Sequence, residues 1–500
     1  MAYESSHSTT NEGANLKQER KNTPQGGELK RRLTARHLNM IAIGGAIGTG
    51  LFIASGGTIS QAGPAGALVA YLAIGLMVFL LMQSLGEMST WYSTSGAFEE
   101  YATRYVSPSF GFAQGWNYWY NWAITIAAEL VAAALVMNYW LPDVPSWVWS
   151  GGFLAILFLL NALSVRGFGE SEFWFASIKV ITVIVFLVLG LGMIVGIIGG
   201  GTPGFANWTI GQAPFVNGFL GILNIFMIAG FSFQGTEMIG IAAGETENPE
   251  VNVPRATRAV FFRILIFYVG AIFVIGMILP YTDSHLLASE VSDIAVSPFT
   301  LVFEKAGILG AASVMNAVIL TSILSAGNSG MYVSTRMLYS LALKGSAPRI
   351  FAKVNARGVP MAALVLTTII GAACFLTSLI GDGQAYIWLL NASGLAGFVT
   401  WVGIAWSHYK FRKAFIAQGH SVSELPYRAI LYPVGPILAL LMCIVVIFGQ
   451  NYEWITGNIQ PLSLLSTYIG LIFFLALWAG HKIVTKGKKV SPLEADLSRH

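Results

Sequence analysis

The chain has 500 residues, of which 55% are hydrophobic and only 10% are charged, and its formal net charge is +4. A soluble domain normally carries about a quarter charged residues, so this composition excludes an ordinary soluble protein and indicates a polytopic helical membrane protein. The sequence lacks the patterns of ATP-binding P-loops, zinc metalloproteases and serine-hydrolase nucleophile elbows, which argues against an enzyme and against ATP-driven chemistry.

Residues 1–38 are polar and basic, which predicts a disordered cytoplasmic arm without a cleavable signal peptide. The rest of the chain is a series of apolar segments of about 20 residues, the length at which a helix crosses the hydrocarbon core of a bilayer. We predict twelve spans, followed by a polar cytoplasmic tail at 486–500. The spans lie at 40–60, 64–88, 112–139, 147–165, 172–198, 215–243, 260–280, 306–335, 361–380, 386–408, 429–449 and 463–485.

The positively charged residues are distributed unevenly along this series. All but two of the 28 lysines and arginines lie in or beside the arm, the tail and alternate connections between spans. The exceptions are Lys305, on the opposite side, and Lys179, inside the fifth span. Because cytoplasmic connections carry the excess of Lys and Arg, both termini are predicted to be cytoplasmic. Contact with the lipid bilayer and its anionic headgroups accounts for the net charge without a nucleic-acid partner.

The first span contains four glycines within seven residues, in the stretch MIAIGGAIGTGLF, with Thr49 among them. Close packing between helices would explain one pair of small residues, but this density predicts a break in the helix. Unwound backbone is tolerated within a membrane only where it is buried or lines a cavity. Its N–H groups and the adjoining helix end can bind a carboxylate.

The third span has one face that combines aromatic walls with a carboxylate. Tyr118, Trp122, Thr125 and Glu129 are spaced so that they share this face of a helix. A helix–helix contact would explain the aromatic residues but not the acid. Glu87 lies near the end of the second span, where its carboxylate can reach the membrane–water interface. A structural role and a functional role are therefore equally expected for it.

Lys179 lies at the head of an otherwise apolar stretch in the fifth span. Charges within a membrane are costly and usually mark a pathway, a partner or a proton relay. Burial disfavours the charged form, so a buried lysine or glutamate can titrate near physiological pH. The candidates for such titration are Lys179, Glu129 and Glu237, and the structural alternative is a permanent ion pair between the lysine and a glutamate.

The sixth span is interrupted by polar residues at 232–236, in GFSFQGTE, with Glu237 directly after them. Breaks in spans one and six predict a five-plus-five inverted repeat, in which the binding site lies at mid-membrane between the breaks. We therefore predict one twelve-helix domain at 39–485. It divides into a first repeat at 39–198, a second repeat at 215–410 and two extra helices at 429–485.

The motifs IGGAIGTGLF and GFSFQGTEMIGIAAGETENPEVNVPRA resemble those of the amino acid permeases in the amino acid–polyamine–organocation superfamily. The likeness runs from about Leu29 to about Lys482, and it implies a LeuT-like transporter fold with twelve transmembrane helices, of which helices 1 and 6 are broken. Segments such as GWNYWYNWAITIA and SAGNSGMYVSTRMLY resemble the bacterial permeases for lysine within this superfamily.

The resemblance implies where a substrate would bind. In such permeases the substrate carboxylate meets the first break, here Ala46 to Gly50, and the α-amino group meets carbonyls at Phe231 and Ser232. The aromatic ring at Phe231 would cover the substrate. Glu129 and Glu237 are both candidates for the partner of a side-chain ammonium. The implied substrate-binding residues are Ala46, Gly48, Thr49, Gly50, Tyr118, Trp122, Glu129, Phe231, Ser232 and Glu237.

The resemblance also implies where a proton would be coupled. Lys179 matches a lysine of proton-coupled members, whose ammonium takes the place of a sodium ion between spans one and eight. Ser325 or Ser329 would be its partner on span eight. Glu237 is a second candidate for proton coupling, or it holds the break in span six. Glu245 is expected to organise the following loop with Arg255 or Arg258.

These features together imply a secondary active transporter of the bacterial inner membrane that imports L-lysine by proton symport through alternating access. The proton would be the coupling ion, and no metal or organic cofactor is expected. Two alternatives remain at this point. One is a permease or exchanger for arginine, ornithine or an aromatic amino acid, and the other is a membrane sensor that binds an amino acid without net transport.

Overall fold

A computed structural model describes residues 33–44, 47–163, 165–199, 203–288, 297–308, 310–450 and 461–499. Within these ranges the regular structure is helical, apart from one isolated bridge between Leu33 and Thr246. Nine stretches of the described residues are long and apolar enough to cross a membrane. The predicted all-α polytopic membrane fold is therefore confirmed.

The helices are numbered here in chain order. They are α1 (Ala35–Gly44), α2 (Ser55–Trp91), α3 (Ala97–Tyr105), α4 (Pro108–Met137), α5 (Ser146–Leu163), α6 (Val165–Ile194), α7 (Gly218–Phe233), α8 (Met238–Ala242), α9 (Pro249–Arg263), α10 (Gly270–Ile278), α11 (Ser284–Ala288), α12 (Pro298–Lys305), α13 (Ala311–Leu343), α14 (Met361–Gly371), α15 (Thr377–Ile380), α16 (Asp382–Ala417), α17 (Val434–Gly449) and α18 (Pro461–Thr485). Turns of π-helix at Gly50–Ala54 and Ile264–Val269 lead into α2 and α10, and short 3₁₀ turns lie at Ala206–Trp208, Ala243–Glu245, Arg349–Ala352, Ala372–Leu376 and Val422–Glu424.

Each predicted span coincides with a helix or a pair of helices. That the chain crosses the membrane twelve times nevertheless remains a prediction. The first two spans share one continuous helical stretch, Gly50–Trp91. The eighth corresponds to α13, which is long but rich in Ser, Thr and Asn. The eleventh corresponds to α17, an apolar helix of only 16 residues.

The continuous stretch from Gly50 to Trp91 turns sharply at Gly63, which has φ = 73°. A side chain is strained in this conformation, and a Cβ there would lie only 2.6 Å from the carbonyl oxygen of Pro214. Pro64 follows and has no backbone N–H to donate. This turn replaces the loop that the sequence predicts between the first two spans.

Both predicted helix breaks are present. Ile47 and Gly48, between α1 and the π-helical turn that starts at Gly50, are not helical. α7 ends at Phe233, and α8 begins at Met238 after a turn in which Gly235 has φ = 97°. The described residues thus include interruptions of the first and sixth spans, while the internal two-fold relation between the repeats remains a prediction.

α4 lies at the centre of the helical bundle, where it contacts α13 and α16. Helices such as α5 and α18 expose apolar side chains, for example Leu159 and Ile483, as expected for surfaces that face lipid. The two breaks are packed inside the bundle against α4 and α13. Unwound backbone at these points therefore meets protein rather than lipid, as membrane proteins require.

Glu87 is fully buried and bound by three donors. Arg412 donates to it from Nε at 2.7 Å, the backbone N–H of Ala429 lies 2.6 Å away, and His408 Nε2 lies 3.0 Å away. The carboxylate therefore joins α2 to α16 and to the segment before α17. Of the two roles that the sequence allows for Glu87, these contacts favour the structural one.

Replacing Arg412 with alanine is expected to destabilise the protein by roughly 3–5 kcal/mol, because it leaves the buried Glu87 carboxylate without its guanidinium partner. Thermal unfolding of the purified variant in detergent measures this loss. Arg357→Ala, at an exposed position, is the matched control and should unfold like the wild type. An Arg412→Ala variant as stable as this control would show that the ion pair is not structural.

Glu245 is buried and binds residues of α13. Its Oε1 accepts hydrogen bonds from Arg336 Nε at 2.8 Å and from Tyr332 Oη at 2.8 Å. The expectation of Arg255 or Arg258 as its partner is therefore wrong. The 3₁₀ turn that ends the sixth span directs this side chain toward α13 rather than toward the basic start of α9.

The predicted C-terminal tail is a packed segment over residues 486–499. The N–H of Val490 donates to the carbonyl of Val106 at 2.9 Å, and Trp91 Nε1 donates to the carbonyl of Leu497 at 3.1 Å. Ala495 and Leu497 are buried. Arg499 pairs with Glu250 at 3.2 Å and lies over the ring of Trp91. The segment thus contacts the end of α2, the start of α9 and the connection between α3 and α4.

Candidate functional site

A small cavity of about 20 Å³, roughly the space of one water molecule, lies between the two helix breaks. Its walls come from the first break, from α4, from the end of α7 and from α13. The lining residues are Gly48, Thr49, Gly50, Trp122, Thr125, Glu129, Phe231, Gln234 and Ala326. Six of the ten predicted substrate-binding residues are among them.

The first break approaches three other helices closely. A Cβ on Gly48 would lie 3.3 Å from Ala326 Cβ on α13 and 3.6 Å from Glu129 Oε1 on α4. A Cβ on Gly50 would lie 2.5 Å from Ser232 Cα on α7. Gly50 is thus needed because two backbones come together here, and the breaks of spans one and six meet directly. Ala46, which was also predicted to belong to the site, lies outside the described residues.

Replacing Gly50 with alanine is expected to reduce ligand binding in this cavity, and uptake that depends on it, at least roughly tenfold. The added methyl group would overpack against a backbone, which costs about 1–3 kcal/mol, and would displace one break from the other. Uptake in proteoliposomes measures the effect. Gly152→Ala on α5 is the matched control, since a Cβ there meets no atom within 4 Å. Normal uptake by Gly50→Ala would mean that the two breaks need not touch.

Glu129 is the carboxylate of the cavity. It is buried, and its Oε1 accepts a hydrogen bond from Thr49 Oγ1 at 3.1 Å. Its Oε2 has no hydrogen-bond partner among the described residues. A buried polar atom without a partner is costly, so this oxygen is suited to a donor that arrives with a ligand. Thr125 and Trp122 extend the same wall, as the spacing on the third span predicts.

Tyr118 lies on the same face of α4 but outside the cavity lining. Its ring packs against that of Phe98, with centroids 4.6 Å apart, and its hydroxyl interacts electrostatically with Glu237. Tyr118 therefore lies behind the wall formed by Trp122, in contact with the second break.

Glu237 directly precedes α8, and its side chain is buried and already accepts hydrogen bonds. Its Oε2 accepts from the N–H of Gly235 at 3.1 Å and from Trp401 Nε1 at 3.2 Å. It does not line the cavity. These contacts hold the turn of the second break against α16, which is one of the roles that the sequence left open for this acid.

Phe231 and Ser232, at the end of α7, have different surroundings. Phe231 lines the cavity, and its carbonyl accepts from the N–H of Gln234 at 3.1 Å. The hydroxyl of Ser232 lies 2.9 Å from Tyr71 Oη and donates to the carbonyl of Ile228 at 3.0 Å. The Ser232 side chain thus joins α7 to α2, while the ring of Phe231 faces the space between the breaks.

Lys179 is fully buried on α6. The charges of two carboxylates act on it, those of Glu172 and Glu129. Ser325 Oγ, one of its two predicted partners on α13, donates to Glu172 Oε1 at 2.6 Å. The hydroxyl of Ser329, the other predicted partner, has no hydrogen-bond partner among the described residues.

Glu172 is a buried acid that sequence reasoning misses. The predicted fifth span begins at residue 172, which makes this glutamate look like an interfacial residue. The spacing could have revealed it, because Glu172 and Lys179 are seven residues apart and lie on the same face of one helix. An acid on the same helix face as a buried lysine indicates that the two charges can act on each other.

Residues 37–493 match the family model described as amino acid permease. The lysine-specific permease LysP of Escherichia coli is 59% identical, with 92% of this chain and 95% of that protein covered. LysP of Lactococcus lactis is 51% identical over 95% of this chain and 94% of that protein. The histidine permease HisP of Lactococcus lactis is 48% identical over 94% of this chain and 98% of that protein.

A solved structure of the manganese transporter of Eremococcus coleocola superimposes with a TM-score of 0.52. The match covers 91% of this chain and 94% of that protein, at 15% sequence identity. At this identity the likeness concerns the arrangement of helices, and it supports a transporter fold for the chain.

Proposed function

From the premise that the chain belongs to the amino acid permease family, we propose that it imports L-lysine by proton symport through alternating access. Family membership confirms that the chain is a permease rather than an enzyme and that it is a multi-pass membrane protein. The observation that carries the lysine assignment is the Glu129 carboxylate, which lines the cavity and has one oxygen without a hydrogen-bond partner in the described part of the chain. Two relatives that bear the name lysine-specific permease support the same substrate.

The backbone of L-lysine would bind between the two breaks. The first break ends at a helix start, where N–H groups lack partners within the helix and attract a carboxylate. The α-ammonium would meet carbonyls at the end of α7, at Phe231 and Ser232. The ring of Phe231 already faces the cavity, so a small rotation would bring it over the substrate.

Glu129 is the better candidate for the partner of the side-chain ammonium. It lines the cavity and has an oxygen to offer, whereas Glu237 lies outside the lining and accepts from Gly235 and Trp401. A charge-assisted hydrogen bond to this oxygen would satisfy a buried atom that otherwise has no partner. A neutral substrate of similar shape would leave it unsatisfied.

The position of Glu129 also implies that substrate binding needs an additional positive charge near its carboxylate. Its Oε1 lies beside Gly48 and Thr49, close to where the substrate carboxylate would bind. Two neighbouring carboxylates repel each other, so binding would require a compensating positive charge. A bound lysine and a coupled proton are the two sources of that charge.

Proton coupling is supported by the surroundings of Lys179. The side chain is buried, and the charges of Glu172 and Glu129 both act on it. A buried ammonium is a compact charge whose protonation changes readily with its environment. Proton loss from Lys179 would change the attraction among α4, α6 and α13 and thereby favour release of the substrate.

We further propose that the chain lies in the bacterial inner membrane with both termini in the cytoplasm. The excess of lysine and arginine at alternate connections supports this orientation. The exposed apolar side chains on α5 and α18 would contact the lipid tails.

Reconstitution of the purified protein into liposomes tests the proposal. Radiolabelled L-lysine should accumulate when the outside is more acidic and should only equilibrate without a gradient. Unlabelled arginine, ornithine, histidine and phenylalanine, added as competitors, define the substrate class. Exchange of internal for external lysine without response to the gradient would favour an exchanger, and lysine binding without any flux would favour a sensor.

A further inference from the structure

A buried polar cluster lies next to the cavity but outside it, between α5, α6 and α13. Glu172 is fully buried in it and accepts from Ser325. Asn161 Nδ2 on α5 donates to Asn328 Oδ1 at 2.9 Å, and Asn328 Nδ2 donates to Ser171 Oγ at 3.4 Å. Burying so many polar groups among apolar helices costs free energy wherever a group is left without a hydrogen bond.

The hydrogen bonds of this cluster leave specific atoms unsatisfied. Glu172 Oε2 and Ser329 Oγ are both buried, and neither has a partner in good hydrogen-bond geometry among the described residues, although Ser329 lies close enough to act on the Glu172 carboxylate. Glu245 Oε2 also lacks a hydrogen-bond partner among the described residues, but that carboxylate pairs with Arg336, whose guanidinium does not lose its proton. The charge that acts on Glu172 comes instead from Lys179, which can lose a proton, and the second oxygen of Glu172 is available to take it up.

The groups that act on Glu172 come from two helices. On its own helix the group is Lys179, two turns further into the membrane, and α13 contributes the neutral residues Ser325, Asn328 and Ser329. Glu170, two residues before Glu172, is partly exposed and pairs with Arg36 and His37. Within the described part of the chain, Lys179 is the one cation whose charge acts on Glu172.

We infer that Glu172 is a second protonatable residue of the coupling path, which takes up the proton released by Lys179. The inference rests on the proposed proton symport and extends it to a residue outside the substrate cavity. In this step the N–H bond of the Lys179 ammonium breaks and an O–H bond forms on the Glu172 carboxylate. The products are a neutral amine and a neutral carboxylic acid, so two opposite charges disappear together.

This step has a physical advantage inside a membrane. Moving helices past each other changes the solvation of any buried charge, and the cost is high for an ion. A neutral amine and a neutral acid can change surroundings at much lower cost. Glu172 lies within the first turns of α6, near the partly exposed Ser171, so a proton held there is closer to water than one on Lys179.

Replacing Glu172 with glutamine tests the inference, because the amide oxygen can still accept from Ser325 but the side chain cannot take up a proton. We expect the initial rate of lysine accumulation driven by a proton gradient to fall at least roughly tenfold. Exchange of lysine for lysine, which needs no net proton movement, should stay close to the wild-type rate. Glu172→Asp keeps an acid at this position and should restore part of the accumulation.

The control variant is Glu304→Gln, at an exposed acid on α12, which should behave like the wild type in both assays. Gradient-driven accumulation by Glu172→Gln equal to that of this control would overturn the inference. Parallel loss of exchange, accumulation and thermal stability in both the Gln and Asp variants would also overturn it, since that pattern indicates a structural residue. If lysine accumulation by the wild type does not depend on the proton gradient, the proposed symport is wrong, and this inference, which rests on it, is wrong as well.

Discussion

Replacing Glu129 with glutamine is expected to weaken lysine binding by roughly 30- to 700-fold, because truncating one partner of a buried charge pair costs about 2–4 kcal/mol. The change keeps the size of the side chain and one oxygen for Thr49. It removes the negative charge that an ammonium would meet in the cavity. Initial rates of lysine uptake over a range of concentrations give the change in KM.

The specificity of the effect distinguishes binding from general damage. Norleucine has nearly the same length as lysine but lacks the terminal ammonium. The wild type should strongly prefer lysine over norleucine, and Glu129→Gln should lose most of that preference. Equal weakening of both ligands would mean that Glu129 does not contact the side-chain ammonium and acts on the backbone site or on coupling.

Glu237→Gln is the matched control for this experiment. Its side chain is held by Gly235 and Trp401 outside the cavity lining, so we expect its preference for lysine over norleucine to match that of the wild type. Its stability and transport rate can both decrease, because it supports the second break. If the preference is lost in Glu237→Gln and kept in Glu129→Gln, the assignment of the two acids must be reversed.

Replacing Lys179 with alanine is expected to abolish accumulation driven by a proton gradient while leaving lysine exchange measurable. One pH unit is worth about 1.4 kcal/mol per proton and supports at most about tenfold accumulation at one proton per lysine. With the membrane potential clamped at zero, the wild type should approach this limit. The variant should stop at equal concentrations inside and outside, because it lacks the group that binds the proton.

Lys413→Ala, at an exposed position of α16, controls for the loss of a positive charge. Persistent accumulation by Lys179→Ala would assign the coupled proton to the carboxylates instead. The double variant Lys179→Ala with Glu172→Gln separates two cases. If the residues form one path, the second change adds little to the first, whereas independent contributions would add.

The helix breaks are predictable from the sequence because they depend on local features. Four glycines within seven residues around Thr49 and the polar interruption before Glu237 weaken the helix wherever they occur. The wall formed by Trp122, Thr125 and Glu129 is predictable for a similar reason, since one helix period determines which side chains share a face.

Partners that are distant in the sequence are harder to predict. The choice between Glu129 and Glu237 depends on Trp401, which lies 164 positions after Glu237. Proximity in sequence favours Arg255 as the partner of Glu245, but the partner is Arg336, which lies 91 positions away on α13. Glu172 is missed because the boundary of a membrane span is uncertain by a few residues, and that margin decides whether an acid is counted as buried.

The packed segment at residues 486–499 determines what an antibody fragment can recognise on the surface formed by this segment and the start of α9. An antibody fragment selected against the free peptide would require Ala495 and Leu497, which are buried against the helices. It would bind the native protein only after the segment detaches from Trp91 and Val106. A reagent selected against the folded protein would instead recognise a composite epitope that includes Glu250 at the start of α9. The two kinds of reagent together would report whether this surface opens during the transport cycle.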